Sequence, residues 1–218
     1  MVARALVAAA AVAVLSAGWY WWFRRFNRRR ATMIVGRLER AFRGRGRVSG
    51  IHWKSPSRFH IDLLLLPTVF RGVSLLVEML PRQSPLRWLI SRAQCSCETM
   101  VFEADLDSPP SFNLEVHNHR WHAHPKGCFP EERSWELESF GPFMATTRED
   151  WHQGRMGGMM RALAASRQCD IMTVCFRPAS PHLSVIIPLD SPALGAPSEA
   201  DILDVLRELA TEAASTRF

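Results

Sequence analysis

The hydrophobic pattern divides the chain into three regimes. From Ala5 to Phe23, ALVAAAAVAVLSAGWYWWF, nineteen residues pass without a charge. No polar face interrupts the run, which separates it from an amphipathic core helix. As a helix it extends about 28 Å at 1.5 Å per residue, close to the ~30 Å hydrocarbon thickness of a bilayer. Residues 31–43, ATMIVGRLERAFR, switch to helical spacing through Ile34, Leu38 and Ala41/Phe42, which predicts a juxtamembrane helix. Gly44, Gly46 and Gly50 then break the pattern, and a period of two takes over.

Strand candidates follow in close order. Val48–Trp53 is short and mixed. Arg58–Leu66 alternates Phe59, Ile61 and Leu63 before Pro67 stops it. Val69–Leu80 is stopped by Pro81, and Leu86–Ser91 reads as a further short strand. Glu98–Leu106 alternates Met100, Phe102, Ala104 and Leu106, and Phe112–His117 alternates Phe112, Leu114 and Val116. Pro and Gly in the gaps suit an antiparallel meander. Thr147-Arg-Glu-Asp150 reads as a capping box opening a helix with Met156, Met160 and Leu163 on one face, weakened by Gly154, Gly157 and Gly158. Ile171–Arg177 and His182–Leu189 form a hairpin. A last helix starts at Ser198 and carries Ile202, Leu206, Leu209 and Ala213. The expected fold is α+β: an N-terminal transmembrane helix followed by a mainly antiparallel sheet packed with two helices. The expected division is an anchor with basic flank (1–30), a juxtamembrane helix (31–43) and one globular domain (44–218).

Charge sharpens the reading of the N-terminus. Residues 1–50 hold eleven Arg and one Glu, so the overall +6 leaves −4 on the other 168 residues. A mildly acidic body excludes the spread basic surface of a nucleic-acid binder. Trp19, Tyr20, Trp21 and Trp22 close the apolar run at the depth where amphipathic rings prefer to sit. Arg24, Arg25, Arg28, Arg29 and Arg30 follow at once. The expected partners are a lipid bilayer through residues 5–23 and anionic lipid through Arg24–Arg30. The positive-inside rule places the C-terminal domain in the cytoplasm, as a single-pass protein. The competing expectation is a signal peptide cleaved near Ser16-Ala17-Gly18, releasing a secreted or periplasmic chain; five arginines just beyond the apolar stretch oppose it. Five cysteines, an odd number, fit a reducing compartment better than a disulfide scaffold.

Candidate chemistry centres on His117-Asn-His119-Arg-Trp-His122-Ala-His124. Imidazole is a common ligand for zinc and copper. On a strand His117 and His119 share a face, and Cys95-Ser-Cys97 is another pair two residues apart. A neighbouring strand would bring the two pairs into a Cys₂His₂ shell for zinc or copper. The plainer reading is a solvated hairpin end that tolerates histidine. No serine elbow, helix-capped cysteine or phosphate loop occurs. The expected function is therefore a membrane-anchored, cytoplasmic-facing interaction or assembly module with a protein partner and no enzymatic activity; the alternative is a metal-binding protein or metal-dependent enzyme using His117–His124.

The stretches Gly44–Trp53, Ser139–Leu163 and Ile171–Ala214 carry a resemblance. A basic, glycine-rich lead into a sheet, a Phe-rich linker into a short helix, a hairpin and a Leu/Ala-rich terminal helix together resemble uncharacterised bacterial membrane-anchored α+β domain proteins. The resemblance implies an anchored α+β body and supplies no catalytic residue.

Overall fold

A computed structural model describes residues 1–42, 44–66, 69–118, 136–140, 143–147, 163, 170–190 and 202–215, without the side chains of 136–140, 144–147 and 215. One uninterrupted helix, α1 (Val2–Ala41), opens the chain. The apolar run and the amphipathic segment after it share this helix because no Gly or Pro breaker lies between Phe23 and Ile34. Its first half is exposed throughout, and its second half buries Asn27, Ala31, Ile34 and Leu38 at spacings of three and four.

Among the described residues nine strands form a single sheet: β1 (Gly46–Ser55), β2 (Arg58–Leu65), β3 (Phe70–Glu78), β4 (Thr99–Leu106), β5 (Leu114–Asn118), β6 (Glu136–Phe140), β7 (Phe143–Thr147), β8 (Thr173–Phe176) and β9 (Leu183–Pro188). Their order is β1-β2-β3-β4-β9-β8-β5-β7-β6, and each neighbouring pair is antiparallel. β1 to β4 are a meander, and the late hairpin β8–β9 inserts between β4 and β5. Register aligns the apolar positions across the sheet. Ile61 faces Leu75, Leu75 faces Phe102, Phe102 faces Val185, Val185 faces Val174, and Val174 faces Val116. A slip of one residue would turn this whole row to the other face, so the burial pattern pins the register. The opposite face carries Arg58, His60, Asp62, Glu78 and Glu103, with ion pairs Arg58–Glu78 (3.2 Å) and His52–Asp62 (3.4 Å).

Two layers of helix cover the apolar face. Ile34, Leu38 and Phe42 from α1 join the same core as Ile202, Leu203, Leu206, Leu209, Ala210 and Ala213 of the last helix, α3 (Ile202–Ser215). The expected α+β fold is the fold found. Ala31, Ile34, Leu38 and Phe42 of the expected juxtamembrane helix are buried in the same core as the sheet.

Three local expectations are corrected or left aside. Leu86–Ser91 is not a strand but lies in α2 (Pro85–Ala93). Pro85 sits at the helix start, where its missing N–H and fixed φ cost nothing. Cys95 ends the helix at φ 49, with Ser96 N–H donating to Ser91 O at 2.9 Å, a six-residue cap normally completed by glycine. β6 and β7 occupy part of what reads as a Phe-rich linker, and Thr147, the expected cap of a helix, is the last residue of β7. The helix through Met156 and Met160 falls outside the described residues, apart from Leu163, which is helical and buried.

Candidate functional site

Where the exposed half of α1 meets the body, three groups of side chains tie it down. Trp19 Nε1 donates to the Arg82 carbonyl at 2.9 Å. Trp19 leans on Phe23 (4.6 Å between centroids), and the Arg82 guanidinium lies 5.3 Å from the Phe26 ring centre. One turn on, Asn27 is fully buried and its Nδ2 donates to Pro56 O (3.2 Å) and Gln83 Oε1 (3.3 Å). A polar side chain in a helix stripe is tolerated because the β1–β2 turn and the segment before α2 both bring acceptors to it.

The third tie is ionic. Glu98 has a side chain only 3% exposed, yet it faces two arginines: Arg82 Nη1 at 2.6 Å from Oε1 and Arg30 Nη2 at 2.6 Å from Oε2. The Leu80 N–H also donates to Oε1 at 3.2 Å. Arg30 reaches the exposed Asp190 at 3.1 Å as well. One carboxylate thus joins α1, the segment before α2, and the start of β4. The Arg82 contact is a charge-assisted hydrogen bond, about twice as strong as a neutral one, and the Arg30 contact is an ion pair whose geometry is not that of a hydrogen bond.

The remaining cations of the basic flank are differently placed. Tyr20, Arg24 and Arg28 from α1 meet Trp53, Lys54, Ser55 and Pro56 from the end of β1 around a cleft of about 210 Å³. The Arg28 guanidinium sits 5.8 Å from the Trp53 ring centre. Among the described residues no carboxylate pairs with Arg24, Arg28 or Lys54, in contrast to Arg30, Arg45, Arg58 and Arg82. Three cations thus lie beside two aromatic rings, Tyr20 and Trp53, with no carboxylate paired to them among the described residues. Arg25 stacks on Trp21 at 5.8 Å, and Trp21, Trp22 and Arg29 are exposed.

Of the residues expected as metal ligands, Cys95, Cys97 and His117 are described, and the two cysteines lie on a different part of the fold from His117. Cys95 caps α2 and Cys97 lies just before β4; both are exposed free thiols. Partial burial pushes the Cys97 thiol above its ordinary range, with a further push from the charges of Asp190 and Glu98. His117 is on β5, and β9 and β8 stand between β4 and β5. Three strand spacings are about 14 Å, before the offset along the strands is added. The expected neighbouring-strand arrangement is therefore absent, because the β8–β9 hairpin fills the gap. His117 has Thr173 Oγ1 at 3.2 Å from Nδ1 and Glu115 Oε1 at 3.0 Å from Nε2. His119, with His122, His124 and Cys128, lies outside the described residues. Among the described residues no three His, Cys, Asp or Glu side chains are grouped to hold a metal ion.

Lys54, Trp53 and Glu98 carry this end of the molecule and were not marked by sequence. A lone lysine or glutamate has no motif, and only the hairpin register brings Lys54 beside Arg28. Comparison with known proteins adds little. No family model matches the chain, and no curated protein matches it. Among solved structures, the crystal structure of the mycobacterial trehalose monomycolate transport factor A, TtfA, is similar at a TM-score of 0.38 and 10% identity, over 70% of this chain and 72% of that one.

Proposed function

We propose that the chain is a single-pass membrane protein whose α+β body sits at the cytoplasmic surface as an interaction or assembly module held close to the lipid. One observation carries the reading: α1 passes without a break from a fully exposed apolar run into the core of the body. A helix long and apolar enough to cross a bilayer is thereby a rigid post for the sheet rather than a tethered leash. The arginine excess on its C-terminal side favours a cytoplasmic body. The cleft of Arg24, Arg28 and Lys54 opens where the apolar run ends and suits the phosphate of an anionic headgroup, at about 1 kcal/mol per cation near the surface. Arg30 is withdrawn from that role by Glu98, so the lipid-facing set is Arg24, Arg28 and Lys54 rather than the whole arginine run.

The test is thiol labelling in intact cells. Cys95 and Cys97 are exposed and serve as native reporters. An impermeant maleimide should leave them unmodified until the membrane is opened, and the mass of the purified chain should include the residues before Ser16. Labelling from outside intact cells would reverse the orientation, and a chain beginning near Trp19 would replace the anchor with a cleaved signal.

A further inference from the structure

α2 carries an apolar stripe that its own body leaves exposed. Its apolar residues Leu86, Leu89 and Ile90 fall on one helical face, three and four apart, and are 69%, 56% and 48% exposed. None of its nine residues is buried. The side turned to the body is half-buried at Trp88 and Ser91, and Ser91 lines a cleft of about 440 Å³ between α2 and the sheet together with Ser57, Glu78 and Cys97, with the exposed Arg87 at its rim. An amphipathic helix normally buries its apolar stripe against its own core. Here the core is complete without it, and the stripe points away from the protein.

The helix is also placed at a particular level. Arg82, four residues before Leu86, receives the Trp19 indole hydrogen bond through its carbonyl. Trp19 belongs to the apolar run of α1, and four residues of chain reach at most about 14 Å. α2 therefore starts beside the end of the membrane-crossing run. Its sequence, PLRWLISRA, holds two arginines and no acid, and Arg92 lies 5.8 Å from the Trp88 ring centre. Exposed aliphatics, one tryptophan, flanking arginines and no carboxylate describe a helix at home in an anionic interface.

We infer that α2 is a second membrane element, lying in the plane of the same leaflet with Leu86, Leu89 and Ile90 in the acyl boundary and Arg87 and Arg92 among the headgroups. The inference rests on the anchor reading above and adds to it a fixed contact of the body with lipid. The occupant is the bilayer, because the stripe is apolar with two arginines and no acid beside it, and α2 starts a few residues after Arg82, whose carbonyl holds Trp19 at the end of the apolar run of α1. With α1 crossing and α2 lying flat, two non-parallel helices hold the sheet at one tilt.

The test uses the full chain in liposomes of phosphatidylcholine and phosphatidylglycerol. A photo-crosslinking diazirine amino acid is placed singly at Leu89, Ile90, Val12 or Ala179. Ala179 is exposed in the β8–β9 turn, at the opposite end of the strands from α2. Each substituted position is already exposed, so the fold is undisturbed. The expected result is phospholipid-mass adducts at positions 89 and 90, as at position 12, and water-quenched product at 179. Water-quenched product at 89 and 90 with lipid adducts retained at 12 overturns the inference and leaves the anchor intact. Crosslinked dimer at 89 and 90 assigns the stripe to a second copy and likewise overturns it. Water-quenched product at 12 defeats the anchor reading, and this inference with it.

Discussion

Replacing Glu98 with alanine should cost more stability than any other single change at the junction of α1 and the sheet. The substitution removes the acceptor of the Arg82 hydrogen bond at 2.6 Å and of the Leu80 N–H, together with the ion-pair partner of Arg30. Removing one partner of a buried ion pair costs about 3–5 kcal/mol, since the surviving charge stays desolvated. Arg30 and Arg82 keep 29% and 19% of their side-chain surface in solvent, which recovers part of their hydration and moves the estimate to the lower half of that range. An unsatisfied Leu80 amide adds about 1 kcal/mol or more. The expected loss is about 4–5 kcal/mol, to be read from denaturant midpoints of the full chain in detergent. Asp190 offers Arg30 little compensation, because it is exposed and such pairs contribute about 0–1 kcal/mol. A cycle with Arg30→Met separates network from packing: Glu98→Ala in that background should cost clearly less than in the native chain. A loss under about 0.5 kcal/mol, or strict additivity in the cycle, would refute the clamp.

Three further outcomes are expected. Arg24→Gln/Arg28→Gln/Lys54→Gln should lose retained phosphatidylglycerol in native mass spectrometry, by roughly a hundredfold if each cation contributes about 1 kcal/mol, and unchanged retention would remove lipid from the cleft. Leu206→Ala should destabilise the body by about 2–5 kcal/mol, and a chain of residues 44–218 should show no cooperative unfolding where residues 24–218 do, since only the longer one keeps Ala31, Ile34 and Leu38. The alkylation rate of Cys97 should reach its half-maximum at a higher pH than that of an ordinary thiol, which is half-ionised near pH ~8.5, because a raised pKa means less thiolate at any lower pH; Asp190→Asn should move the midpoint downward, and a midpoint at or below pH ~8.5 would contradict the assignment.

The parts of the fold legible in the sequence are those where one physical signal dominates. β2, β3, β4 and the β8–β9 pair have strong period-two or dense apolar stretches bounded by Pro or Gly, and their limits differ from the expected ones by only a residue or two. The stripe of α3 was equally plain. α2 was misread because a short Leu-rich stretch has the same composition in a strand and a helix, and the decisive cue, Pro85, acts as a helix starter here. β6 and β7 escaped because Glu136–Phe140 and Phe143–Thr147 mix polar and apolar residues without clear alternation. The clamp and the cleft were out of reach for a different reason. They join residues 30, 82 and 98, or 28 and 54, and only the strand order decides which distant charges meet. The same strand order separates Cys95 and Cys97 from His117.

The unbroken course of α1 has a consequence for rotation. Each residue of a helix advances the azimuth by 100°, so the exposed apolar part of α1 and the sheet are phase-locked through the turns between Phe23 and Ile34. One residue inserted between Ala8 and Ala9 only screws the outer end of the helix, and everything from Trp19 onward keeps its bearing. One residue inserted between Phe23 and Arg24 swings Trp19 by 100° from the Arg82 carbonyl and lifts it by 1.5 Å. Two chains of identical length and composition would then present different sides of the sheet to whatever lies beside them on the bilayer. Orientation is encoded in the residue count of this linkerless joint, as the timing of a cam is set by its key.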